Sequence, residues 1–169
     1  YTLPEAMAEA FLDAGGSAPV LDLGAGTGLL GQALADRGVL PLDGTDISPQ
    51  MLAVAEDKQL YRRVFTGDLT ARLPVADGSY HGVISAGTFT TGHVGPEALD
   101  EVLRVARPGV VIGITVNARH WKTADFAAKF AALSSQITRF ELQDVAIYGA
   151  DAEGVHKDDM AKIALFLKL

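Results

Sequence analysis

The run Val20-Leu21-Asp22-Leu23 passes without a spacer into Gly24-Ala25-Gly26-Thr27-Gly28, and Leu29 to Asp36 then shows helical spacing up to Gly38. A short buried strand, a turn of alternating glycines and an immediate helix leave few folds open. Glycine is needed in such a turn because the backbone takes conformations closed to residues with a Cβ, and because a ligand lies against it. The helix that follows presents free N–H groups to a polar or anionic group. In an open α/β sheet, the crevice at the carboxyl ends of the strands is where ligands bind.

The rest of the chain alternates in the same way. Pro4 to Ala14 predicts a first helix, with Ala6, Ala10, Phe11 and Ala14 at helical spacing and Gly15-Gly16 as its stop. Val39 to Thr45 predicts a second strand, interrupted by Pro41. Ser48 is a suitable N-cap, with Pro49 at the first position of a helix running to about Gln59. Tyr61 to Thr66 and Tyr80 to Ser85 read as strands, and Gly95-Pro96 opens a helix to Ala106. Val110 to Val116 is the most strand-like run, and Thr123 to Ser134 predicts one helix with Phe126, Phe130 and Leu133 on a face.

Two final strands, Arg139 to Tyr148 and Lys162 to Lys168, are separated only by the acidic stretch Gly149 to Asp159, so they pair antiparallel. The expected fold is α/β: a doubly wound, Rossmann-like, mostly parallel seven-stranded sheet whose last strand is antiparallel.

The length of 169 residues fits one domain, and a hydrophobic share of 49% supplies a dry core. No apolar run reaches the roughly 20 residues that span a bilayer. With no cysteine, disulfides, thiolate catalysis and cysteine-based zinc sites are excluded, and the composition is compatible with a reducing cytosol, where the chain is expected. A net charge of −7 with scattered Lys and Arg disfavours a nucleic-acid partner, which needs clustered cations. No histidine shares metal-ligand spacing with nearby carboxylates, and no metal is expected.

Two acids sharpen the reading of the turn. Asp46 stands after the second strand, about twenty residues beyond Gly24, where a carboxylate accepts ribose hydroxyls. Asp68, in Gly67-Asp68-Leu69, puts a second carboxylate on the same sheet edge. Either acid alone is as well explained as a turn former or helix cap. The dinucleotide fingerprint G-x-G-x-x-G is not met, because the sixth position from Gly24 is Leu29. A P-loop is excluded because no Gly-Lys-Ser/Thr follows.

The words VLDLGAGTGLLG (Val20 to Gly31), GTDISPQMLAVA (Gly44 to Ala55), GDLTARLPVADGSYHGVISAG (Gly67 to Gly87) and RVARPGVVIGITVN (Arg104 to Asn117) resemble the class I S-adenosylmethionine-dependent methyltransferases. Within them the chain is similar to the small-molecule branch of ubiquinone and menaquinone biosynthesis. ISAGTFTTGHVGPEALDEVLRVARPG also looks like the Williams–Beuren syndrome region methyltransferase-like proteins. The resemblance implies S-adenosylmethionine as cofactor, with S-adenosylhomocysteine as product. Gly24, Ala25, Gly26 and Gly28 would underlie its methionine and ribose, with Asp22 supporting the turn. It further implies that Asp46 holds the ribose hydroxyls, Ile47 and Met51 pack on the adenine, and Asp68 meets its amino group beside Leu69. Ala86 or Gly87 would offer a carbonyl to the methionine ammonium. His81 stands where the family usually has an acid, and Val110 replaces a second glycine after Arg107-Pro108-Gly109. Relatives often carry helical sequence before the segment matching Tyr1 to Pro4, a lid over the substrate.

Methyl transfer from a sulfonium is an in-line displacement, for which alignment supplies most of what a protein contributes. The stretch Thr88 to Gly95 should border the transferred methyl, making Thr88 and His93 candidate substrate contacts. His93 is the base candidate, the alternative being a loop histidine bonded to a backbone carbonyl. His120 and Trp121 follow the fifth strand and either line the acceptor pocket or pack. His81 lies at the far end of its strand as a structural residue, and His156 falls in the acidic loop. The expected function is methylation of an O, N or C atom of a small metabolite. A methyltransferase-like binding domain without turnover is the second reading, and a nicotinamide-dependent oxidoreductase the third.

Overall fold

The computed structural model describes residues 1–169. Seven strands form one sheet in the order β3-β2-β1-β4-β5-β7-β6. They are β1 (Val20–Leu23), β2 (Leu42–Asp46), β3 (Arg63–Thr66), β4 (Tyr80–Phe89), β5 (Ala106–Asn117), β6 (Ile137–Ala146) and β7 (Met160–Lys168). The first five run parallel, and β7 lies between β5 and β6, antiparallel to both. This is the expected doubly wound sheet. The chain builds outward from β1 to β3 and then returns to β4, so the switch point falls between β1 and β4.

Side-chain alternation along the strands sorts the core into two layers. Val20 and Val111 face α1 (Leu3–Asp13) and α2 (Leu29–Ala35), where Met7, Phe11, Leu30 and Leu34 are buried. Leu21, Leu23, Ile112 and Ile114 face the other way, onto α4 (Leu99–Val105), α5 (Ala118–Thr123) and α6 (Phe126–Ala132). Burying one such aliphatic side chain contributes about 1.5–3 kcal/mol, so both layers are needed to hold the sheet. α3 (Pro49–Asp57) starts as expected, with the Ser48 hydroxyl accepting the Met51 N–H.

Several boundaries differ from the expectation. Thr123 to Ser134 is not one helix. Asn117 accepts the N–H groups of Arg119 and His120 and starts α5 early. Asp125, at φ 55, then breaks the path and caps α6 through Ala128. In place of one helix from Gly95, a 3₁₀ turn over Pro96–Ala98 leads into α4. β2 begins only after Pro41, and β3 at Arg63. β4 runs on to Phe89, past Gly87 at φ 81, so Thr88 lies in a strand rather than a loop. Ser85 pairs with Ile114 and Phe89 with Val116, leaving Ala86, Gly87 and Thr88 bulged out of the ladder.

Candidate functional site

A cleft of about 750 Å³ opens over the carboxyl ends of β1, β2 and β4, a size typical of small-molecule sites. Its floor is the glycine turn. The N–H groups of Gly24 and Ala25 both donate to the Thr45 carbonyl, at 2.8 and 2.9 Å. The Gly26 N–H donates to Asp46 Oδ2 at 2.9 Å, and the Ser48 N–H to Asp46 Oδ1 at the same distance. Asp46 therefore locks two turns together before any ligand arrives. A carboxylate has about four acceptor positions, so two remain for hydroxyl groups.

Gly24, Gly26 and Gly28 all have positive φ, at 70°, 54° and 86°. They do different work. A Cβ on Gly24 would overlap the Thr88 side chain, whose hydroxyl donates to the Leu23 carbonyl at 3.2 Å beside that of Ser85 at 2.7 Å. A Cβ on Gly26 would meet nothing closer than 4.0 Å, and Gly26 lines the cleft, so its side is left open for a ligand. Gly28 does not line the cleft. It packs against Ala55 and Tyr61 as the N-cap of α2. It was expected under the cofactor, and the structure places it outside the cleft lining.

Asp22 is likewise beneath the turn rather than in the cleft, and is 1% exposed. The Tyr61 hydroxyl donates to its Oδ2 at 2.7 Å, while Oδ1 is buried without a partner. Burial pushes this carboxyl up to about 7, the Tyr61 hydroxyl and the Gly31 backbone opposing the rise and the Asp46 charge adding to it. Burial and the neighbouring Asp22 push the Tyr61 phenol up as well.

Asp68 lies at the rim. Its Oδ1 accepts the Thr70 hydroxyl and N–H, which hold the carboxyl below its usual range and leave Oδ2 without a partner in the chain. Ile47, 67% exposed, and Met51, 47% exposed, add bare apolar surface at the same rim, with Leu69 buried behind. The bulge puts Ala86, Gly87 and Thr88 on the opposite wall, and Thr115 Oγ1 accepts the Gly87 N–H at 2.9 Å. Among the lining side chains there are two carboxylates and no Lys or Arg.

The candidates on the acceptor side separate. His93 lines the cleft, exposed, with no hydrogen bond from its ring, so the carbonyl-bonded alternative does not hold. His120 and Trp121 do not line it, and of their two expected readings the structure gives packing. α5 begins directly after β5 and turns both rings inward. His120 Nε2 lies 2.8 Å from the Val94 carbonyl, and Trp121 stacks between Phe126 and Phe130. His81 sits beside Arg107 at the other sheet edge, and His156 beside Asp159. Tyr1 ahead of α1, Pro4 in its first turn, Thr45 and Thr90 also line the cleft and were not foreseen. Burial raises the Tyr1 phenol, with Tyr148 adding to the rise. The buried Thr45 hydroxyl has no partner in the chain.

The family described as a methyltransferase domain matches residues 20–109. The chain belongs to that family. The domain is 37% identical over 100 residues to human methyltransferase-like protein 27, covering 59% of this chain and 40% of that protein. It is 43% identical over 105 residues to the demethylmenaquinone methyltransferase of Beutenbergia cavernae, covering 59% and 42%. A bovine 18S rRNA (guanine-N(7))-methyltransferase matches at 42% over 66 residues, covering 39% and 23%. The methyltransferase domain thus spans less than half the length of these relatives. A solved TehB-like S-adenosylmethionine-dependent methyltransferase from Corynebacterium glutamicum superposes with a TM-score of 0.66 at 25% identity, over 100% of this chain and 89% of that one.

S-adenosylmethionine is the cofactor of this family, and the residues present fit it. The open side at Gly26, the spare acceptor positions of Asp46 and Asp68, and the bare Ile47 and Met51 suit an adenosine. A cleft with two carboxylates and no cation suits a ligand that is itself cationic and carries no pyrophosphate.

Proposed function

We propose that this methyltransferase domain binds S-adenosylmethionine over the glycine turn and passes its methyl group to a small uncharged acceptor beside Thr88 to Gly95. The observation that carries this reading is the cation-free, two-carboxylate cleft at the switch point. Bound there, the cofactor supplies a methyl group on a sulfonium, ready for in-line displacement. Asp46 would hold the ribose hydroxyls, Asp68 and Leu69 the adenine edge, and the bulge from Ala86 to Thr88 the methionine end. Thr88, Thr90 and Val94 shape the acceptor side, and orientation there accounts for most of the protein's contribution. His93, free within the chain, would take a proton from an acceptor that must lose one. An anionic acceptor would find no Lys or Arg lining the cleft, and a net charge of −7 disfavours an RNA backbone as well. No helix is long and apolar enough to cross a membrane.

Thermal shift with S-adenosylmethionine, S-adenosylhomocysteine and NAD in parallel tests the cofactor. A ligand at about 100 times its dissociation constant stabilises by roughly 2.7 kcal/mol, and Asp46→Ala should abolish the adenosyl shift. Stabilisation by NAD alone overturns the reading. Release of S-adenosylhomocysteine across neutral and anionic acceptors then separates turnover from binding without it.

A further inference from the structure

The carboxyl of Asp22 is buried in a place with no catalytic access, yet it lies directly beneath the cofactor turn. Its register partners are Gly44 in β2 and Ile84 in β4, neither titratable. From α2 the facing group is the backbone of Gly31, and from the stretch between α3 and β3 it is Tyr61. Asp46 in β2 is the charge that acts on it, and it is of like sign. Tyr61 reaches Asp22 through a slot kept open by glycines. A Cβ on Gly31 would run into the phenol oxygen, and one on Gly44 would stand 2.9 Å from its ring. The hydroxyl satisfies Oδ2 and the Gly31 backbone also works to hold the carboxyl down, while Oδ1 has no partner at hydrogen-bond geometry. No cation inside the chain offsets a negative charge here, so the nearest one that can arrive is a ligand's.

We propose that the Asp22–Tyr61 pair reads the charge of the bound cofactor: a cationic sulfonium in the cleft favours the carboxylate and drives its proton to solvent, whereas the neutral thioether product does not. This rests on the reading that the cleft takes S-adenosylmethionine. A positive charge placed in a partly buried, cation-free site lowers the free energy of a nearby carboxylate. The balance is simple. Binding of the sulfonium releases up to one proton from Asp22, and once the methyl has left, the carboxylate takes a proton back. Substrate and product forms of the cofactor are then distinguished by a group that touches neither acceptor nor methyl.

The test is titration calorimetry of the wild-type domain, Asp22→Asn and Tyr61→Phe with S-adenosylmethionine and S-adenosylhomocysteine, in buffers of different ionisation enthalpy. Between about pH 6 and pH 8, wild-type affinity for the sulfonium should rise up to about tenfold beyond any rise in Asp22→Asn. Affinity for the thioether should follow the same profile in both proteins. The ligands' own titrations are common to all the proteins and cancel in this comparison. Proton release on sulfonium binding should vanish in Asp22→Asn. Tyr61→Phe keeps the ring but removes the donor that favours the ion, so the midpoint should move to higher pH. It carries the test if the Asn variant does not fold. Sulfonium profiles that coincide in wild type and variant overturn the proposal alone. If neither ligand binds at any pH, the cofactor reading fails and the proposal with it.

Discussion

Asp22→Asn also makes a prediction for the chain without ligand. The carboxyl rises from an ordinary 3.8 to about 7 on folding, so the folded state holds a proton that the unfolded state has lost. A raised carboxyl contributes stability that is present below the unfolded value and is lost as pH rises through the folded one. Stability of the wild type should therefore fall across the window between these two values, and flatten above it. Integrated from about pH 5.5 to pH 8, the loss from this one group is about 2 kcal/mol. For a chain of this length that corresponds to roughly 4–8 °C in melting temperature. Asparagine cannot ionise, and its amide oxygen still accepts the Tyr61 hydroxyl. Its buried NH₂ takes the Oδ1 position, which has no partner, and costs about 1–3 kcal/mol, but that cost is the same at every pH. The informative quantity is thus the slope. Urea unfolding of both proteins across this range should show curves that diverge, with the wild type falling relative to the variant as pH rises. Parallel curves would refute the idea that Asp22 is buried as a neutral acid.

Gly24→Ala should lose about 1–2 kcal/mol from its left-handed backbone alone, plus the displacement of Thr88, and Thr88→Gly in the same chain should recover the second part but not the first. Denaturation midpoints that add without coupling would argue against the contact. Asp43 is buried, and although burial works to raise its carboxyl, hydrogen bonds from Arg62, Tyr80 and Arg63 hold it below the usual range. Its contribution should be present above the ordinary carboxylate value and fade as pH falls through its lowered one. Asp43→Ala should cost about 1–3 kcal/mol in urea unfolding at neutral pH and little in strong acid. His93→Ala should change stability by less than about 0.5 kcal/mol, because the ring bonds nothing in the chain, and should leave affinity for S-adenosylhomocysteine within about twofold. A large loss in either would assign the ring a structural role.

Much of the fold was legible because its signals are local. The strand-turn-helix at Val20 to Leu29, the Ser48 cap and the final strands joined by a loop each depend on neighbours in sequence, and each formed within two residues of the expected place. Of the residues expected at the site, Asp46, Ile47, Met51, Asp68, Ala86 and Gly87 line one cleft, so the location was legible in the sequence. What escaped depends on distant partners. Asp125 reads as a polar residue in a helix until its left-handed backbone is seen, and with it the turn of His120 and Trp121 into the core. Tyr61 escaped for the same reason, but it left a trace. Gly31 lies within a helix and Gly44 within a strand, both at ordinary φ, where glycine costs roughly 0.5–1 kcal/mol and no turn requires it. A glycine that its own backbone does not need is evidence about what stands beside it. Here two of them, thirteen residues apart and in different elements, clear the path of one phenol to the carboxyl under the cofactor turn.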